Sequence, residues 1–231
     1  MPALLVSVAT VDEARLALEA GADLIDAKDP KAGALGALDQ ETVGDIARAV
    51  AGRAVVTAVT GDHHDMASLI AAAETIAETG VDMVKVGLYP GLDTPQAVRE
   101  IGQRLAPRCR LVAVLLADHN PDLSLVDDLA AAGFTGVMLD TFAKGSGLLS
   151  FIKYTDIRAF VARAKQHDLI CGLAGSLKSE DLSLLYTLGA DLLGMRGGLC
   201  RGHDRTSVLQ PDLIAEAVAL VHGKTPQQKA G

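Results

Sequence analysis

The chain has 231 residues, 49% of them hydrophobic, 22% charged and only 3% aromatic, which suits one compact α/β domain and is long enough for a complete barrel. A net charge of −8 makes nucleic acid and anionic membrane surfaces unfavourable partners, because the average surface repels both. Cys109, Cys171 and Cys200 are widely spaced, without a CxxC, so neither a disulfide framework nor a zinc knuckle is expected.

Short apolar runs alternate with longer amphipathic ones along the whole chain, the pattern of βα units on a parallel sheet. In order, strands are expected over 4–8, 24–27, 54–59, 83–88, 111–117, 136–139, 170–174 and 192–195. Between them helices are expected over 11–20, 40–51, 66–78, 95–105, 123–132, 154–166, 179–188 and 211–221. Thr10 and Asp39 are placed to cap free amides at helix starts, and Gly21, Gly80, Gly133 and Gly189 to end helices. The phrases EAGADLID, ETGVDMVK, AAGFTGVMLD and TLGADLLGMR are variants of one helix-glycine-turn-strand unit. Eight such units favour a single-domain α/β fold, a closed (β/α)8 TIM barrel over 1–222, followed by a polar tail over 223–231 that is expected to fray. The start MPALLVSVATVDEA has no basic leader, and no stretch approaches the ~20 apolar residues of a membrane span, so a soluble, unprocessed protein is expected, and the cysteine pattern makes a reducing cytoplasm its expected home.

Barrels of this kind carry their active sites at the carboxyl ends of the strands. Asp26, Lys28, Lys85, Asp140 and Arg196 all fall within or just beyond strands two, four, six and eight, whose side chains can converge on the axis. Lys85 interrupts the otherwise apolar MVKVGLY; if Val84 and Val86 face the helices, its ammonium faces the interior and could donate a proton or neutralise developing charge. Asp26 and Lys28 share a strand face, which would let the carboxylate hold or deprotonate the amine. A Schiff-base lysine needs such a setting, since only the neutral amine attacks a carbonyl, and burial beside other cations favours that form. The plainer alternative is a structural ion pair at the barrel mouth. Asp140 suits general acid-base work, and Lys144, beside Gly145 and Gly147, could close over a ligand or remain a solvated loop charge.

Strands seven and eight end in GLAGS and MRGG, where barrels bind phosphate through glycine-rich turns; Gly175, Ser176, Arg196, Gly197 and Gly198 are the candidates. His63 and His64, or His203 with Asp204, lack a third ligand at a familiar spacing, so no metal is expected. No cofactor is expected either, because GxGxxG and GxxxxGK[ST] are both absent.

The segments LLVSV, GADLIDAKDPKAGALG, VDMVKVGLY, MLDTFAKG, CGLAGSLK and LGMRGGLCRGHDR, in this order, resemble the (5-formylfuran-3-yl)methyl phosphate synthases over about residues 4–221. The resemblance implies a (β/α)8 barrel joining two molecules of glyceraldehyde 3-phosphate, with loss of phosphate and water, into the furan precursor of methanofuran or methylofuran. It also implies that Lys28 is the Schiff-base lysine and Lys85 the proton donor, with Asp26, Asp140 and Lys144 in support. Ala27 and Asp29 stand where archaeal members are expected to have Val and Asn, and 61–67 matches less clearly, leaving the third loop without an assigned role. Rival readings are a class I aldolase acting on a phosphorylated sugar and a non-catalytic sugar-phosphate-binding barrel. A homo-oligomer stays open, since such barrels often associate through their outer helices.

Overall fold

In the computed structural model, which describes residues 1–143 and 145–223, eight parallel strands form a closed ring in chain order, the first pairing with the last. Lys144 and tail residues 224–231 lie outside the described residues. The chain runs β1 (Ala3–Val8), α1 (Val11–Glu19), β2 (Leu24–Ala27), α2 (Gln40–Val50), β3 (Val55–Val59), α3 (Met66–Ala77), β4 (Met83–Leu88) and α4 (Pro95–Leu105). It continues with β5 (Leu111–Leu116), α5 (Val126–Ala131), β6 (Gly136–Asp140), α6 (Tyr154–Gln166), β7 (Ile170–Leu173), α7 (Ser179–Tyr186), β8 (Leu192–Met195) and α8 (Pro211–Val221).

Strand alternation sorts the apolar side chains into two layers. Leu5, Leu24, Met83, Val112, Val114, Met138 and Leu192 fill the barrel interior. Their strand neighbours Val6, Ile25, Val84, Val86, Ala113, Leu139 and Leu193 pack outward among the helices. Each fully buried aliphatic side chain contributes roughly 1.5–3 kcal/mol, so the fold rests on both layers. Thr10, Asp39, Asp65 and Thr94 cap α1, α2, α3 and α4, each accepting a bond from an amide in the first turn.

The internal repeat has a physical basis. Asp23, Asp82 and Asp191 each donate a backbone amide to the carbonyl of Leu4, Val56 and Cys171, and each accepts that residue's amide on its own carboxylate at 2.7–2.8 Å. The aspartate of each GAD or GVD phrase thus closes a ring around the start of the preceding strand. In AAGFTGV, Thr135 takes the place and keeps only the backbone bond, to Leu111.

The helix expected over 123–132 is split: Leu123–Leu125 forms a tighter 3-10 turn, and the α-helix begins at Val126. The fifth strand stops at Leu116, and Ala117–His119 turns away in a second 3-10 segment. That turn aims the Asp118 carboxylate at the amides of Phe142 and Ala143, 2.7 and 2.6 Å away.

Candidate active site

A cavity of about 630 Å³ opens at the carboxyl ends of the strands. It is lined by Asp26, Lys28, Lys85, Asp140 and Arg196, with Gly175, Ser176, Gly197 and Gly198 along one side. The described candidates from distant parts of the chain therefore meet in one place.

Their pairing differs from the expectation drawn from β2 alone. Lys28 Nζ lies 3.1 Å from Asp140 Oδ2, and Lys85 Nζ lies 3.1 Å from Asp26 Oδ1. Residues two apart on a strand are spaced roughly 6.6 Å along it, so alternation puts Asp26 and Lys28 on one face without making them partners. Each finds its counter-charge across the barrel interior. Asp26 is fully buried and also accepts from Thr57 Oγ1 at 2.6 Å and Ser7 Oγ at 3.1 Å, so four strands converge on one carboxylate. Lys85 is 3% exposed and Lys28 7%. Taking such ions out of water costs several kcal/mol each, a penalty that pairing offsets and that a folding core alone would have no reason to incur.

Carboxylates from the odd-numbered loops brace the loops that carry these groups. Asp62, between β3 and α3, accepts from the amides of Ala34 and Leu35 at 3.0 and 2.8 Å and from the Tyr89 hydroxyl. This gives the third loop a role: it pins the DAKDPKAGALG segment that follows Lys28. Burial first, and then the bond to Asp62, push the Tyr89 phenol well above its ordinary pKa, so it stays a donor. Gly36 closes the same segment, where a Cβ would lie 2.5 Å from the carbonyl oxygens of both Asp29 and Ala32. Asp118 holds the loop after β6 in the same manner.

The histidines of GDHHD are occupied otherwise. His63 Nε2 lies 2.9 Å from the Thr60 carbonyl, and the His64 ring packs edge-on against Tyr89.

Arg196 does not present a free guanidinium to the cavity. Glu13 at the start of α1 binds it through both oxygens at 2.8 and 3.0 Å, and it donates further to the carbonyls of Ser7 and Arg205. It links β1 and β8 while lining the cavity, with its charge already met by Glu13. Glu13 was concealed in the sequence because it sits three residues after the capping Thr10, where an acidic residue reads as part of the helix start. The glycine turn after β7 keeps its promise geometrically: Gly175 and Ser176 both adopt positive φ, and their amides donate to no acceptor among the described residues. A Cβ at Gly175 would lie 2.7 Å from Thr141 Cγ2, so the turn is tightly seated. Burial pushes the Cys171 thiol up to about 12 and raises Cys200 too, which leaves both as packing groups.

The fold is shared with solved barrels of low sequence identity. Phosphoribosyl anthranilate isomerase from Thermus thermophilus superposes with a TM-score of 0.67 at 15% identity, covering 96% of this chain and 99% of the other. Thiamine phosphate pyrophosphorylase from Pyrococcus furiosus gives 0.67 at 13%, covering 96% of each. At sequence level, the 4-HFC-P synthase family model matches residues 4–218. The (5-formylfuran-3-yl)methyl phosphate synthase of Methanosarcina acetivorans is 36% identical over 231 residues, covering 94% of this chain and 97% of that one. The Methanopyrus kandleri synthase is 38% identical, with 94% and 99% covered. A Methylorubrum extorquens protein carrying the same name provisionally is 48% identical over 218 residues, covering 94% of this chain and 90% of its own. With a family match over residues 4–218 and relatives 36–48% identical over 94% of its length, the chain belongs to the (5-formylfuran-3-yl)methyl phosphate synthase family.

Proposed function

We propose that the protein condenses two molecules of glyceraldehyde 3-phosphate into (5-formylfuran-3-yl)methyl phosphate, with loss of phosphate and water, on a Schiff base at Lys28, in the biosynthesis of methanofuran or methylofuran. The observation that carries this reading is the pair of crossed, buried ion pairs, Lys28 with Asp140 and Lys85 with Asp26, inside one cavity. Two amines and two carboxylates at hydrogen-bond distance are what repeated proton transfers around an imine require.

The first triose enters with its phosphate on the amides of the Gly175–Ser176 turn, and the amides of Gly197 and Gly198 serve phosphate on the β8 side. Lys28 transfers a proton to Asp140 and adds to the aldehyde; Asp140 returns the proton to the carbinolamine oxygen, which leaves as water. The resulting iminium draws electrons from the neighbouring carbon, whose proton passes to Asp140. The C–O bond to phosphate at the third carbon then breaks, its electron pair leaving with the phosphate. The unsaturated imine is an enol; its third carbon adds to the central carbonyl of the second triose, which has tautomerised to the ketone, and Lys85 gives a proton to the oxygen of that carbonyl. Lys144 supports the same steps from the loop after β6. Ring closure, loss of water and hydrolysis from Lys28 release the furan aldehyde. Condensations and eliminations of this kind leave the overall oxidation state unchanged, and aromatisation pulls the sequence forward.

Incubation with glyceraldehyde 3-phosphate should produce a near-ultraviolet furan band and release one phosphate per furan. An aldol product would release no phosphate and show no such band. Lys28→Arg, which keeps the charge but forms no carbinolamine, should abolish both signals; substantial remaining turnover would exclude the covalent route.

A further inference from the structure

The fixed cations that line the cavity are arranged in neutral pairs, with one exception among the described residues. Lys28 faces Asp140, Lys85 faces Asp26, Arg196 faces Glu13, and at the rim Lys178 lies 3.7 Å from Glu180. Arg205 lines the same cavity with no carboxylate at ion-pair distance. The residue is held at its backbone and at its tip: Arg196 Nε donates to the Arg205 main-chain carbonyl at 2.6 Å, and Arg205 Nη2 donates to the Gly33 carbonyl at 3.0 Å, in the loop that follows Lys28. Its Nε and Nη1 donors have no acceptor among the described residues. Burial works against this charge, and Asp140, Asp29 and Asp62 favour it only from longer range. A guanidinium fixed in a half-buried position with its planar donor edge unsatisfied is matched in charge and shape by a phosphate.

The other charges explain why a second such anchor is needed. The ion pairs cancel one another, so they offer no net charge to two incoming phosphate dianions. The Gly175–Ser176 turn supplies amides for one of them, on the β7 side. Arg205 stands beside Gly197 in the β8 turn and reaches across to the Lys28 loop.

We propose that Arg205 is the phosphate anchor of the second triose phosphate, separate from the glycine turn that holds the first. The proposal rests on the two-triose reading given above. Arg196 thereby acquires its place as the positioning residue that holds Arg205, with Glu13 behind it.

Two variants, Arg205→Gln and Arg205→Lys, test this. With glyceraldehyde 3-phosphate and borohydride, which report on the first triose alone, the concentration dependence of adduct formation on Lys28 should match that of the unaltered protein. Furan formation at subsaturating substrate should fall about 30-fold in Arg205→Gln, the loss expected of a charge-assisted bond, and less in Arg205→Lys. Titration with inorganic phosphate, followed by calorimetry, should give two sites in the unaltered protein and one in Arg205→Gln. An Arg205→Gln protein that binds as many phosphates as the parent overturns the proposal, as does one that loses adduct formation and turnover in equal measure. If the parent protein itself forms no Lys28 adduct, the imine reading fails, while the phosphate count still decides the role of Arg205.

Discussion

Lys28 Nζ lies 3.1 Å from Asp140, a residue supplied by the strand diametrically opposite in the ring, β6 against β2. The pair spans the cavity floor beside the Asp26–Lys85 pair, so each carboxylate holds an amine that arrives from another strand. Removing either carboxylate strands a buried ammonium.

Asp140→Asn should therefore cost about 3 kcal/mol of unfolding free energy at neutral pH, the usual penalty for breaking a buried pair from one side. Urea denaturation measures it. The same substitution should lower turnover at least about 100-fold, since a proton carrier is lost together with the counter-charge.

Asp62 should matter more than Tyr89, although the two are bonded to each other. Asp62→Ala frees two backbone amides and a phenol, and should cost roughly 3 kcal/mol and slow adduct formation on Lys28, because the segment after Lys28 loses its anchor. Tyr89→Phe leaves the amide bonds in place and should cost about 1 kcal/mol. Equal effects would mean that Asp62 acts only through the phenol.

Tyr89 also makes a pH prediction. Its folded-state pKa is raised above the ordinary value of 10.0, so the unfolded chain loses this proton first as pH rises. Above about pH 10 the native state then binds more protons than the unfolded one, and stability falls with pH. Unfolding followed between pH 9 and 11 should show a steeper decline in the parent than in Tyr89→Phe.

Gly36 in the Lys28 loop and Gly91 after β4 differ in what surrounds them. Gly36→Ala drives a Cβ onto two backbone oxygens and should reduce both stability and turnover, by more than about 2 kcal/mol in the former. Gly91→Ala meets open space and carries only the strain of its positive φ, about 1 kcal/mol, with turnover unchanged. Thermal melts and initial rates of the two variants separate packing from backbone conformation.

Much of this architecture was legible beforehand, because hydrophobic period and glycine placement are local signals. The strand and helix positions follow to within about a residue or two at most ends, α5 excepted, and Val84 and Val86 face outward while Lys85 faces in. Partnership was not legible. Alternation tells which face Asp26 and Lys28 occupy but not what stands across the barrel, and so the true pairs emerged only with the closed ring. Arg196 stood out by its place in the glycine-rich turn that ends β8, whereas its partner Glu13 is 183 residues away. In GDHHD the histidines invite a metal reading that the missing third ligand sets aside, whereas the group that ties two loops together is Asp62, between them and the glycine. An aspartate accepting backbone amides leaves no periodic trace in a sequence.

The most direct test is reduction with borohydride in the presence of glyceraldehyde 3-phosphate, followed by peptide mass mapping. A reduced three-carbon phosphate adduct on Lys28, absent from Lys28→Arg and present when Lys85 is replaced by Arg, is the expected result. An adduct on Lys85 or on a surface lysine, or no adduct from a protein that still makes the furan, would contradict the assignment of the imine to Lys28.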